Sequence, residues 1–150
     1  MSRRTTIAMS DEELRRFLAE EHSLTCATIN PNERPHLVEL WYLVDGAEIV
    51  CWTYAKSQKA QNLERDPRAT IQVEAGDSYG ELRGAVIECV VALERDPELV
   101  LAAGIALATR HPGPPDDSAR ASIARQAPKR VVLRFTPTHT ASWDHRKLGG

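Results

Sequence analysis

The stretch Trp52-Thr53-Tyr54-Ala55-Lys56-Ser57-Gln58-Lys59-Ala60-Gln61-Asn62-Leu63 decides how this chain is read. Strand-forming residues from Glu48 to Trp52 run into a threonine, a short loop follows, and a helix spans Ser57 to Asp66 with Ser57 as its N-cap and Pro67 as its stop. The first amides of a helix lack intrahelical acceptors and attract anions. Thr53 and Ser57 offer hydroxyls there, and Lys59 offers positive charge. Lys56 and Lys59 crowd an end where the helix dipole disfavours cations, which an anion would relieve. The same residues also suit a capped surface helix with solvated lysines.

Outward from this stretch, Asp45-Gly46 is a hairpin turn between Glu48–Trp52 and a strand over His36 to Val44. Asn30-Pro31-Asn32-Glu33 turns that strand back on Leu24 to Ile29. Ser10 and Glu13 form a capping box opening a helix that carries Leu14, Phe17 and Leu18 on one face and ends near Glu21. Downstream, Ala69 to Glu74 and Leu82 to Leu93 read as strands about a turn at Gly76 and Asp77. Asp96-Pro97 starts a helix with Leu99, Val100, Ala103 and Leu107 on one face. His111-Pro112-Gly113-Pro114-Pro115 breaks it, Asp116 to Gln126 is a polar helix, and Arg130 to Thr136 and His139 to Trp143 are two further strands. Hairpin-linked strands with helices at the margins predict an α+β fold: one domain over 1–150, an antiparallel, Greek-key-like β-barrel of six to seven strands.

The 150 residues carry 19 basic and 21 acidic side chains, a formal charge of −2. That balance gives no global field for nucleic acid or an anionic membrane. No apolar run reaches the ~20 residues of a membrane span. Met1 to Met9 lacks the apolar core of a signal peptide, and a cytoplasmic location is expected. Cys26, Cys51 and Cys89 are widely spaced in apolar runs. They read as buried, reduced thiols, and no metal site is expected. His22 and His111 read as surface residues, and no histidines form a triad.

The spacing Thr53-x-x-x-Ser57-x-Lys59-x-x-Asn62-Leu63-x-x-Asp66-Pro67-Arg68 resembles the phosphate-binding signature of the pyridoxamine 5′-phosphate oxidase-like, flavin/deazaflavin oxidoreductase superfamily. Pro35 to Tyr42 resembles that superfamily's strand along the cofactor ring. Arg83 to Glu88 resembles its long interface strand, and Ser142-Trp143-Asp144 its terminal strand. The likeness extends from Leu24 to Leu148. It implies a split β-barrel, a two-fold homodimer and cofactor sites at the subunit interface. By residue, Thr53, Ser57, Gln58 and Lys59 would hold the phosphate, and Val38, Glu39 and Trp41 would border the ring. Trp143 would pack from the partner subunit, offering flat apolar area.

Departures from the pattern separate two cofactors. Gln58 stands where FMN-dependent oxidases carry an arginine before the lysine. The ring strand is apolar around Leu37 where they carry another. Gly84 takes the place of a glutamine, and Asp144-His145-Arg146 is not their substrate-binding Arg-x-His. Fewer cations suit a phosphodiester better than a dianionic monoester. FMN ends in the monoester, and the deazaflavin coenzyme F-420 has the diester. The chain is therefore expected to be an F-420-dependent oxidoreductase passing hydride to a conjugated small molecule of quinone, enone or tetrapyrrole type. FMN is the alternative cofactor, and non-catalytic cofactor binding the alternative function. No residue is assigned as a catalytic acid or base.

Overall fold

The computed structural model describes residues 2–149; Met1 and Gly150, the ends of the expected domain, lie outside them. After a short helix α1 (Arg3–Ile7), the capping box forms as read. Ser10 N donates to Glu13 at 2.9 Å and Glu13 N donates to Ser10 Oγ at 3.1 Å, starting α2 (Asp11–Glu20). Strands β1 (Ser23–Ile29) and β2 (Pro35–Trp41) form an antiparallel pair. The hairpin β3 (Leu43–Asp45) and β4 (Glu48–Tyr54) turns at Gly46, whose φ of +61° a residue with a Cβ rarely adopts. Helix α3 (Gln58–Arg65), β5 (Arg68–Ala75), β6 (Arg83–Glu94), α4 (Pro97–Arg110), α5 (Asp117–Gln126) and β7 (Arg130–Asp144) complete the chain.

All strand pairs are antiparallel, in the order β2-β1-β5-β6-β7-β4-β3. Strands β2 and β3 follow one another in sequence yet form opposite edges. The sheet must therefore curl until its edges meet at the one residue between them, Tyr42, leaving a split barrel. Its interior is filled by alternate residues such as Cys26, Cys51, Ile71, Ile87, Leu133 and Phe135, closed by Phe17 and Leu18 of α2 and Ala60 and Leu63 of α3. Among the described residues, no helix is long and apolar enough to cross a membrane.

Tyr42 is 1% exposed. Its hydroxyl donates to Leu18 O at 2.6 Å, and its amide donates to His22 O at 3.2 Å. Arg110, from the end of α4, lies 4.7 Å over its ring and donates to Tyr42 O at 2.8 Å. The same guanidinium donates to the carbonyls of Leu18, Ala19 and Glu21, satisfying the orphan acceptors where α2 ends.

Two sequence expectations need correction, and one element was not foreseen. The single strand over His36 to Val44 is two strands, because one continuous strand cannot occupy both edges. The strands Arg130–Thr136 and His139–Trp143 are one, β7. Pro137 pairs with Cys89 and His139 with Glu88, so Thr138 is an extra, bulged residue and the ladder continues past it. Helix α1 was not anticipated; its cap is Ser2, whose side chain accepts from Thr5 N.

All three cysteines are buried and free. Burial pushes the Cys26 and Cys89 thiols up to about 12 and raises Cys51 as well, so the reactive thiolate is suppressed.

Replacing Arg110 by methionine keeps the apolar stem but leaves four carbonyl contacts unmade. The urea midpoint of Arg110→Met should fall by the equivalent of about 3 kcal/mol. An unchanged midpoint would show that the seam closes without it.

Candidate functional site

Strand alternation fixes the site at the end of β4. Cys51 and Thr53 point into the barrel, whereas Trp52 and Tyr54 point out. The loop Ala55–Ser57 leads into α3. Ser57 caps the helix, its hydroxyl accepting from Ala60 N at 3.3 Å while its amide donates to Tyr54 O. The amides of Gln58 and Lys59 at the first helical positions have no acceptor within the helix.

Lys59 turns inward and is only 8% exposed. Its Nζ donates to Thr53 Oγ1 at 2.8 Å. Among the described residues, no carboxylate lies within ion-pair distance of it. Burial, and next the nearby Arg130 charge, lower its pKa from the ordinary 10.5. A buried ammonium held by one hydroxyl, beside free helix amides, is chemically suited to an anion such as a phosphate.

Gln58 behaves differently. It is exposed, and its amide donates to Asn62 Oδ1 at 2.9 Å. Asn62, fully buried, donates in turn to Thr28 Oγ1 and Asn30 Oδ1, each at 3.0 Å, and so ties α3 to β1. The expectation assigned Asn62 only to the motif and gave it no role. Its place on the helix face shared with Lys59 was the available signal.

The structure brings Thr53, Ser57 and Lys59 together. It divides the ring-strand group. Val38 pairs with Cys26 and packs against the core, whereas Glu39 and Trp41 lie on the opposite, outer face of β2. Glu39 Oε1 accepts a hydrogen bond from Thr25 Oγ1. Trp41 is 54% exposed and meets the edge of His111, which stacks on His22 at 4.2 Å. Trp143 stands at the far end of β7. It lies thirteen positions along the strand from Arg130, a contour length of about 43 Å.

Arg130 pairs with Tyr54 on the outer face of the barrel. Its guanidinium lies 3.7 Å from the Tyr54 ring centroid and 4.7 Å from that of Trp52, and it donates to Gln126 at 2.8 Å. A cleft of about 560 Å³ opens beside it, lined by Tyr54, Ala55, Lys56, Ser57, Pro128 and Lys129. The clustering of Arg130 with two aromatics depends on the β4–β7 register, which the sequence does not display.

The family model for pyridoxamine 5′-phosphate oxidase matches residues 10–144. A conserved hypothetical protein from Mycobacterium tuberculosis is 41% identical, with a TM-score of 0.90, covering 100% of this chain and 94% of its own. An F-420 reductase is 24% identical at a TM-score of 0.68, with 84% and 94% covered. An FAD-binding protein from Mesorhizobium loti is 16% identical at 0.66, with 90% and 94% covered. The last two likenesses show the fold. No curated protein matches the chain.

Because folding lowers the Lys59 pKa, the unfolded chain binds more protons between the folded value and 10.5. Stability from this residue is therefore level below that window and rises with pH through it. Lys59→Met should lose that rise and, without ligand, denature at no lower urea concentration than the parent chain. A parent chain whose stability falls with pH through the window, relative to the variant, would contradict the inward, desolvated placement.

Proposed function

We propose that this chain, a member of the pyridoxamine 5′-phosphate oxidase family, is a homodimeric oxidoreductase that uses the deazaflavin F-420. The observation that carries the choice of cofactor is the contrast between Lys59 and Gln58. The neutral Gln58 amide is spent on Asn62, and Lys59 is the buried cation of the site. One buried positive charge with free helix amides, in place of a paired arginine and lysine, matches a singly charged phosphodiester better than a dianionic phosphomonoester.

In this reading Thr53, Ser57, Gln58 and Lys59 hold the phosphodiester through hydroxyls, backbone amides and the ammonium group. Val38 borders the ring through the strand backbone, its side chain packing against the core, and Glu39 and Trp41 border it from the outer face of β2. Trp143, at the opposite end of β7 from Arg130, belongs to the site of the partner subunit. The uncovered outer face, with Leu37 64% exposed and Val90 46%, supports a subunit contact there. When bound, reduced F-420 supplies a hydride. The chain orients the acceptor and excludes water, and a solvent proton completes the two-electron reduction of a quinone, enone or tetrapyrrole. The fold shared with an F-420 reductase supports the reading.

Equilibrium dialysis with F-420 and FMN side by side tests the cofactor. F-420 should bind more tightly, Lys59→Ala should weaken it about tenfold to a hundredfold, and Gln58→Arg should strengthen FMN by about tenfold. Tighter FMN binding by the parent chain would overturn the choice. Reduced F-420 loaded on the protein should be reoxidised by a quinone or enone acceptor. Absence of acceptor-dependent oxidation across a panel would leave a cofactor-binding protein. A monomer in sedimentation at micromolar concentration would remove the shared site.

A further inference from the structure

Outside the barrel, α4, with α5 beside it, covers the outer face of β4 and the start of β7. Val50, Val100 and Val132 form a second, smaller core there, and Trp52 packs against it. The three layers touch at Gly104. A Cβ on this glycine would meet the Trp52 ring at 2.8 Å and Ile123 Cγ2 of α5 at 2.9 Å, so a larger residue would push the helices away. Trp52 Nε1 donates to Val100 O at 2.9 Å and holds α4 in place. Toward the start of α4 the two helices leave a cavity of about 440 Å³, within the range of small-molecule sites. It lies on the helix-covered side of the barrel, apart from the uncovered face around Leu37 and Val90.

The walls are saturated: Pro97, Val100 and Leu101 from α4, Ala124 from α5, and Ala127 and Pro128 from the turn that follows. Two arginines complete the lining, and none of the lining residues is acidic. The arginines differ. Arg95 is exposed and already paired with Glu64. Arg130 is half-buried, stacked against the rings of Tyr54 and Trp52, and among the described residues it is in no ion pair. One of its terminal nitrogens donates to Gln126 Oε1 at 2.8 Å, and its Nε is sealed from solvent with no acceptor. Its guanidinium is therefore a cation without a counter-charge beside an apolar cavity. Such an unmatched group costs free energy that an incoming acceptor recovers.

We infer that this cavity is a binding site for an aliphatic monocarboxylate of the medium-chain fatty acid class. The carboxylate sits on Arg130, and the hydrocarbon chain runs between α4 and α5. The terminal donors that Gln126 leaves unengaged suit a carboxylate, which a guanidinium matches in charge and in planar geometry. The saturated walls favour a flexible chain over a flat ring system, because the guanidinium already occupies both nearby aromatic rings. Chain burial supplies the hydrophobic part of the affinity and scales with the number of methylenes. Lys59 turns into the barrel toward Thr53, whereas Arg130 lies on the outer face. The site is thus distinct from the Lys59 anion site and does not depend on which cofactor binds there.

The probes are decanoate, its uncharged counterpart 1-decanol and the short anion acetate, each dialysed against the full chain. Decanoate should bind about tenfold or more tightly than 1-decanol, and acetate should show no saturable binding at the same concentrations. Arg130→Gln should lower decanoate to the level of 1-decanol while leaving 1-decanol unchanged. Ala124 is exposed on α5, so Ala124→Trp should keep the parent's thermal midpoint and, by filling the cavity, weaken decanoate and 1-decanol alike. Equal affinity for decanoate and 1-decanol would overturn the proposal. So would decanoate binding indifferent to Ala124→Trp, even if Arg130→Gln does not fold. Mole-for-mole displacement of decanoate by F-420 would also overturn it, since the cavity would then be an extension of the cofactor's site. Loss of decanoate binding at concentrations where the chain dimerises would do the same, because a second copy would then cover the cavity. If decanoate binds as expected and F-420 does not, this site stands and only the deazaflavin reading falls.

Discussion

The split barrel depends on holding two sheet edges together at a single residue. Tyr42 is that residue; its amide donates to His22 O and its carbonyl accepts from Arg110 as the chain passes from one edge to the other. Arg110 resolves the resulting polar accounting. One guanidinium serves the Tyr42 carbonyl, caps the last turn of α2 and stacks on the Tyr42 ring. Edge strands, α2 and α4 are thereby fixed relative to one another by one planar fork of donors, a geometry a lysine cannot supply. The end of β4, the start of α3 and the outer face of β2 are positioned by this closure.

Within that frame the candidate site works against local stability. A lysine at the start of a helix would ordinarily lie in water, at little cost. Here it is buried, and its hydrogen-bond partner is the neutral Thr53 hydroxyl. Burial of a cation without an anion is unfavourable, and the free amides of α3 add positive potential at the same place. Positive potential is therefore concentrated at this point, which the proposed anion would balance. Asn62 keeps the arrangement from relaxing, because its bonds to Thr28 and Asn30 hold α3 against β1.

Locally encoded features were legible from sequence. The Ser10–Glu13 capping box, the Asp45-Gly46 turn, the Ser57 cap and the Asp96-Pro97 helix start each lie within a few residues and appear where they were read. Thr53, Ser57 and Lys59 were legible as a group for the same reason. The break at Tyr42 was not, because strand-forming residues run through it and the arginine that fixes it lies 68 residues away. The inward turn of Lys59 also depends on distant packing. For Val38, Glu39 and Trp41, two-residue alternation already divides the three between opposite faces of one strand. Trp143 lies beyond any local rule, since its surroundings come from Gly84 and α1.

The bulge at Thr138 bears on this last residue through parity. Before it, odd-numbered residues of β7 such as Val131, Leu133 and Phe135 point into the barrel. After it the phase is reversed: Trp143 pairs with Gly84 on the outer side, while the buried Asp144 falls on the other. Without the one unpaired residue, the indole would be directed at the core and the carboxylate at solvent. A single inserted amino acid, contributing little packing of its own, thus determines which compartment the aromatic ring addresses. Homologues that differ in length by one residue at this point would present a different side chain to the outer surface even with every strand pairing preserved.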